Sequence, residues 1–326
     1  FLWNKVKPTT PEAWREAMRP YREQFWNEAI GRFAAGSIPP NPRSRLIYDQ
    51  PHWSVHEVVL DVLPDVYAWG YFFLPKGIKP GEKRPVVVVQ HGGGGVPADV
   101  MTEDKNSSGY RYYKAFALRL VERGFIVFAP HMLNGGQDRV YGQPRTLLLQ
   151  RKANSIGRTI TSITIAQEVV ILDWLATRPT VDPGRIAFYG LSYGGKAAMR
   201  IPAILDRIAL SICSADFNEW IWKNVTTDFK SSMIYTSNYD VMEFNLGSTF
   251  SYAEMAALIA PRPFMVERGH YDTVGLDEWV AFEYAKVNRL YGKLRIPQVT
   301  EIEYFVGPHS IHGVGTFKFL HRHLNW

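Results

Sequence analysis

The sequence predicts an α/β fold: a mostly parallel central sheet of about eight strands flanked by helices. Three observations predict it. From residue 85 onward, short continuous apolar runs recur: "PVVVVQH", "GFIVFAP", "RIAFYG", "IALSICSA", "PRPFMVERG" and "VTEIEYFVG". A strand that is apolar throughout is one covered on both faces, as in a parallel sheet. Between these runs lie segments with helical spacing, Ile165, Val169, Leu172 and Ala176 in one, Val280, Tyr284, Val287 and Tyr291 in another. Finally, two strand ends run directly into glycine clusters, "QHGGGG" at 90–95 and "YGLSYGG" at 189–195.

The elements follow in order. Residues 1–55 read as an N-terminal helical extension and 56–326 as one α/β domain. Within the extension, residues 11–33 predict an amphipathic helix: Thr10 is placed to cap it, Pro11 suits its first position, and Trp14, Met18, Tyr21 and Phe25 fall on one face. It is expected to pack as an appendage. After the breaker-rich "SIPPNPRSR", the runs "HEVVLDVL" and "VYAWGYFFLP", joined by Pro64 and Asp65, predict an antiparallel hairpin. The helix near 277–293 opens with Asp277 and Glu278 and carries Lys286 and Arg289 later, in accord with its dipole.

Two connections, near 131–160 and 216–250, are longer than the usual ~2–6 residues of a strand–helix loop. Long loops after the carboxyl ends of parallel strands are where sites form. The second holds Phe217, Trp220, Trp222, Phe229, Tyr235, Tyr239 and Phe244, and reads as a cap or pocket wall.

Composition narrows the function. The 326 residues are 46% hydrophobic and 21% charged, with no apolar run near the ~20 residues of a membrane helix, so no membrane span is expected. Lys and Arg number 37 against 31 Asp and Glu, giving +6, and the basic residues are scattered. Scattering argues against nucleic acid as a partner. Cys213 is the single cysteine and sits in an apolar run, so neither an internal disulfide nor a cysteine-based metal site is available. No cofactor and no metal are expected. The chain opens at Phe1, leaving an exported, leader-cleaved form as one expectation and a cytoplasmic one as the other.

The chemistry gathers around Ser192. Gly190-Leu191-Ser192-Tyr193-Gly194 lies between a strand and a helix, the setting of a nucleophile elbow. There the serine takes a strained backbone, the flanking glycines remove clashes, and the helix N-terminus supplies partial positive charge. A bare G-x-S-x-G is also common as a plain turn. The "QHGGGG" loop lets backbone N–H groups approach a substrate, so Gly93 can join the Tyr193 N–H in an oxyanion hole. It lacks the Lys-Ser/Thr ending of a phosphate-binding loop. Asp272 follows the penultimate strand as the orienting acid, with Glu267 and Asp277 as rivals. His309 follows the last strand as the base, and His312 is its neighbour. The order Ser192, Asp272, His309 is that of the α/β-hydrolases.

These segments resemble the dienelactone-hydrolase-like, acetyl xylan esterase-like branch of the α/β-hydrolases. The likeness runs through "VVVVQHGGGG", "LVERGFIVFAP", "ILDWLATRPTVDPGRIAFYGLSYGGKAAM", "YAEMAALIAPRPFMVERGHYD" and "FVGPHSIHG". It implies a metal-free serine esterase whose substrate is a small-molecule or polysaccharide ester, acting on acetyl or methyl esters of carbohydrates, often exported. Two features depart from the pattern. Ser192 stands where true dienelactone hydrolases have cysteine. The elbow "GLSYGGKAA" is also similar to that of glucuronoyl esterases, with Tyr193 in place of their oxyanion-stabilising arginine and Lys196 matching their substrate-contacting lysine. A uronate ester is therefore the first alternative. A prolyl-oligopeptidase-like peptidase is the second, although the ~80 residues ahead of the glycine loop cannot form a propeller of ~40–45-residue blades. A non-catalytic binding protein is the third. For substrate contact the candidates are Lys196, Trp220 and Trp222, with Arg151, Lys152, Arg158 and His131 as further polar possibilities.

Overall fold

The computed structural model describes residues 5–7, 9–33, 38–133, 139–236, 239–243 and 245–326. The strands of its large sheet are β1 (Arg43–Asp49), β2 (Trp53–Leu63), β3 (Val66–Pro75), β4 (Arg84–Gln90), β5 (Ile126–Pro130), β6 (Val181–Leu191), β7 (Leu210–Ser214), β8 (Phe264–Gly269) and β9 (Thr300–Phe305), and Arg139–Val140 pairs with Gln143–Pro144 apart from it. The large sheet has the order β1-β2-β3-β5-β4-β6-β7-β8-β9. The helices used below are α1 (Pro11–Ala17), α2 (Arg19–Gln24), α3 (Ser108–Tyr113), α4 (Phe116–Val121), α5 (Arg145–Asn154), α6 (Ile160–Ala176), α7 (Tyr193–Ile204), α8 (Trp220–Asn224), α9 (Tyr252–Ile259), α10 (Asp277–Lys293) and α11 (Gly315–Leu324). None of the described helices is long and apolar enough to cross a membrane.

The expected hairpin is β2–β3, and every strand from β4 to β9 corresponds to one of the apolar runs. β4 to β9 pair in parallel, while β1, β2 and β3 add an antiparallel edge. The core shows why the parallel strands read as unbroken apolar text. Val86, Val88, Ile126, Phe128, Ile186 and Phe188 pack on one side of the sheet with residues of α6, α7, α9 and α10. Val87, Val89, Val127, Ala187 and Tyr189 pack on the other with α4 and α11. Alternate side chains point to opposite faces of a strand, so a sheet covered on both sides needs apolar residues at every position. β1 was not expected. Its residues are almost all exposed, and it is held by backbone pairing to β2, with the Arg45 Nε–Glu57 ion pair at 2.6 Å beside it.

The N-terminal helix differs from expectation in two ways. Thr10 Oγ1 does accept the Ala13 N–H at 3.1 Å, and Trp14, Met18 and Phe25 are buried. But Pro20 has no N–H to continue the ladder, so the run divides into α1 and α2 and closes in a π-helical turn, Phe25–Ile30. Nor is it an appendage. Trp14 Nε1 donates to Ala257 O at 3.0 Å, while Arg22 donates to Ala203 O and Leu258 O at 2.9 Å each and to Asp206 Oδ2. Ala203 and Leu258 lie in the last turns of α7 and α9, whose carbonyls have no partner within their own helices. The buried Arg22 guanidinium supplies one to each helix end.

Sheet order sets the position of the site. From β4 the chain goes out to β5 on one side and returns to β6 on the other, so the strand order reverses at β4. Crevices at the carboxyl ends of strands open at such a reversal. The two glycine clusters leave the sheet there side by side, because Gln90 at the end of β4 pairs with Gly190 of β6.

Candidate active site

Ser192 joins β6 to α7 with φ 62° and ψ −118°, a conformation unfavourable for a residue with a Cβ. Its N–H donates to Ser214 O at 3.0 Å and its carbonyl accepts from Lys196 N at 2.7 Å, so the turn is fixed from both sides. The flanking glycines are required by packing. A Cβ on Gly190 would lie 2.2 Å from Gly194 O, and one on Gly194 would lie 2.2 Å from Gln90 O. The side chain at the top of this turn is thus presented at the switch point, beside the N-terminus of α7.

The glycine loop after β4 packs on the elbow. A Cβ on Gly92 would come within 3.1 Å of Ser192 Cβ, and one on Gly93 within 2.9 Å of the Tyr193 ring. Two residues hold the loop. Tyr113 of α3 accepts the Gly92 N–H on its hydroxyl at 2.7 Å, and burial raises that phenol to about 12. His91 Nδ1 donates to Gly92 O at 2.8 Å, and its Nε2 accepts the Met132 N–H at 3.2 Å. Burial pushes His91 down to about 4, so it is a neutral strut. Gly93 and Tyr193 therefore stand against each other at the two loop ends, where the sequence places them.

Asp272 and His309 meet. His309 Nδ1 donates to Asp272 Oδ2 at 2.9 Å. The loops carrying them are joined by backbone, His270 N to Phe305 O and Tyr271 N to Gly307 O, both at 2.9 Å. Asp272 Oδ1 accepts from Val274 N at 2.9 Å, while Arg268 donates to Asp272 O at 2.9 Å and to Gly275 O at 2.8 Å. Burial opposes ionisation of Asp272. The His309 hydrogen bond, the nearby His309 and Arg268 charges and the Val274 N–H outweigh it, holding the carboxyl below its ordinary value. With Nδ1 donating to an ionised carboxylate, the lone pair of His309 is on Nε2. Among the described residues Ser192 Oγ makes no hydrogen bond, so the link from Ser192 to His309 is open in this structure.

The rivals have other partners. Glu267 is fully buried in β8, where it accepts from Tyr189 Oη at 2.9 Å, Ser214 Oγ at 2.7 Å and Gly313 N at 2.9 Å. It ties β6, β7 and the start of α11 together, and burial raises its pKa. Asp277 binds His270 Nδ1 at 2.6 Å and Arg268 Nε at 2.9 Å. His312 binds Glu303 at 2.9 Å and stacks on Phe305.

A cavity of about 120 Å³ adjoins Ser192, lined by Tyr193, Lys196, Arg200, Asp216, Lys223 and Tyr252, with further residues from the 216–250 segment and Val274. The second long connection is thus a pocket wall. Of the substrate-contact candidates, Lys196 is on the wall, but it is 6% exposed and its Nζ is bound to Glu243 Oε1 at 2.9 Å and to Asp240 O at 2.7 Å. Trp220 is buried against Gly247 and packs the segment. Trp222 is exposed and its ring leans on Trp279 and Phe282. Arg151 and Lys152 are exposed on α5, Arg158 lies over Phe33, and His131 stacks on Trp69 at 4.7 Å. Tyr239 is part of a single 3₁₀ turn, and Phe244 lies outside the described residues. Three further groupings have no signature in the sequence: Arg200 of the wall with Glu243 behind it, Lys223 with Asp216 and Tyr252, and Tyr113 beneath the glycine loop. No spacing signals contacts that join one helix to a distant irregular segment.

Residues 69–212, which run from β3 through most of β7 and include the glycine loop and the elbow, match the dienelactone hydrolase family. The curated protein "Putative hydrolase YtaP" of Bacillus subtilis (strain 168) is 27% identical over 220 residues, covering 67% of this chain and 70% of that one. Among solved structures, one described as a "putative acetyl xylan esterase" from Bacteroides fragilis NCTC 9343 superposes with a TM-score of 0.72 at 16% identity, over 91% of this chain and 76% of that one. A glucuronoyl esterase from Solibacter usitatus superposes with a TM-score of 0.67 at 14% identity, over 98% and 94% of the two chains. At those identities the structural likeness speaks to the fold, which is that of the α/β-hydrolases.

Proposed function

We propose that this chain, which carries a dienelactone hydrolase family domain, is a serine carboxylic ester hydrolase acting on acetyl or methyl esters of carbohydrates. One observation carries the reading: a serine held at φ 62° at the switch point, with an Asp272–His309 pair, its carboxylate buried, delivered by the loops that follow β8 and β9. In this reading His309 Nε2 takes the Ser192 proton as Oγ attacks the ester carbonyl. Asp272 keeps the imidazole in the Nδ1–H tautomer and stabilises the imidazolium. The Gly93 and Tyr193 N–H groups receive the oxyanion, the alcohol leaves with the proton from His309, and water activated by the same histidine releases the acid.

The uronate-ester alternative is favoured by Lys196 and Arg200 on the cavity wall. It stands second because Lys196, the residue that carries that likeness, is already bound within the chain to Glu243 and Asp240. A peptidase gains no support from the segment ahead of the glycine loop, which forms short helices and the β1–β3 edge of the sheet. A panel of acetylated sugars, uronate methyl esters and aminoacyl amides tests the assignment. Cleavage of acetylated sugars ahead of the other two is expected; cleavage of the amides alone would contradict it.

A further inference from the structure

The cavity beside Ser192 has an internal counter-charge that neither the proposed triad nor the oxyanion loop uses. Lys196 and Arg200 lie one turn apart on α7, directly after the elbow, and both line the cavity. Two cations at that spacing next to a nucleophile would form a seat for a carboxylate. The seat is taken by the chain itself. Glu243 Oε1 lies 2.9 Å from Lys196 Nζ and 2.7 Å from Arg200 Nε, and its Oε2 lies 3.3 Å from Arg200 Nη2. The Glu243 side chain is 0% exposed. Its burial raises its pKa, but the two cations and their hydrogen bonds more than reverse this, so the carboxylate stays ionised.

The remaining charges around the cavity also balance. Lys223 is bound to Asp216 Oδ1 at 2.5 Å and to Tyr252 Oη at 3.0 Å, and Tyr252 donates to Asp216 Oδ2 at 2.9 Å. Asp240 is buried, gives its carbonyl to Lys196, and lies against the Tyr193 hydroxyl. Among the described residues here, three cations, Lys196, Arg200 and Lys223, thus stand with three carboxyl side chains, Glu243 bound to the first two, Asp216 bound to the third, and Asp240, whose Oδ2 is buried without a hydrogen-bond partner. A substrate group bearing a free carboxylate would add an unmatched negative charge to a largely desolvated space, while a neutral group leaves the balance intact.

We propose that Glu243 is a specificity-determining residue: it occupies the Lys196–Arg200 seat and restricts the cavity to uncharged substrate groups. The proposal rests on the esterase reading for what the cavity accepts. It does not rest on it for what the seat binds.

Two isosteric pairs differing only in charge test it. Hydrolysis of monomethyl succinate is compared with that of its neutral amide, methyl succinamate, and calorimetric binding of succinate is compared with that of succinamide. The wild type is expected to prefer methyl succinamate by tenfold or more in kcat/KM and to bind succinate no more tightly than succinamide. Glu243→Gln, which leaves one unmatched cation, should narrow the hydrolytic preference at least tenfold and tighten succinate binding at least tenfold relative to succinamide. Lys196→Met, which removes a cation and leaves Glu243 on Arg200, should widen the preference for the amide. A wild-type ratio near one overturns the proposal, as does an unchanged ratio in whichever variant folds by its thermal melt. Were neither ester cleaved, calorimetry would still decide the seat, and the esterase reading would be decided by the sugar-ester panel.

Discussion

Asp272 Oδ2 accepts a hydrogen bond from His309 Nδ1 at 2.9 Å, a contact between residues 37 positions apart that the paired ends of β8 and β9 make possible. The carboxylate is buried, and its loop is anchored by Arg268 through two backbone carbonyls. In the proposed mechanism this holds the imidazole with Nε2 as the base. In Asp272→Asn the side-chain nitrogen favours the wrong tautomer, so kcat should fall by ~10³–10⁴ with the fold retained. Asp277→Asn, which alters only the neighbouring Arg268 and His270 contacts, should lower kcat by less than ~10-fold. Steady-state kinetics on one activated acetyl ester checks both.

The same carboxylate sets a pH dependence of stability. Its folded pKa is depressed, so its contribution is fully present above the unfolded value of about 3.9 and is lost as pH falls through the lower folded value. Thermal melts from pH 6 down to pH 2 should therefore show a shallower acid limb in Asp272→Asn than in the wild type. Equal slopes would mean that the Asp272–His309 bond adds no ionic stabilisation.

Ser192 should trade stability for position. A non-glycine residue at φ 62° carries ~1–3 kcal/mol of backbone strain, while glycine adds ~0.5–1 kcal/mol of unfolded-state entropy. Ser192→Gly is accordingly expected to be more stable than the wild type by about 1 kcal/mol and to be inactive. Ser192→Ala keeps the Cβ and should gain no stability. Denaturant titration of the three proteins measures the difference.

Much of this could be read in the sequence, for physical reasons. The central strands were legible because burial on both faces leaves no polar positions, and the glycines of the elbow were legible because a Cβ there meets backbone at 2.2 Å. The choice of Asp272 over Glu267 rested on position relative to the strand. The structure supplies the cause: Glu267 is still within β8 and is committed to Tyr189, Ser214 and Gly313. β1 was not legible, because an exposed edge strand has no apolar pattern and is held by its backbone. Neither was the partner of Lys196. Glu243 lies in an irregular segment after two other carboxylates, and nothing local to it indicates that it turns inward to α7.

The N-terminal segment bears on stability more than its expected role as an appendage would allow. Trp14 is 1% exposed and hydrogen-bonded to Ala257, within the same core as the sheet. Trp14→Ala should cost about 3–5 kcal/mol in denaturant unfolding. A loss below about 1 kcal/mol would return the segment to the status of an appendage.

If Ser192 is a nucleophile served by His309, covalent labelling of the folded protein with a fluorophosphonate, followed by mass spectrometry of the peptide containing residues 189–198, shows it most directly. One adduct is expected, on Ser192, abolished in Ser192→Ala and slowed at least ~10²-fold in His309→Asn. An unlabelled Ser192 in folded protein, or labelling that is indifferent to His309, would contradict it.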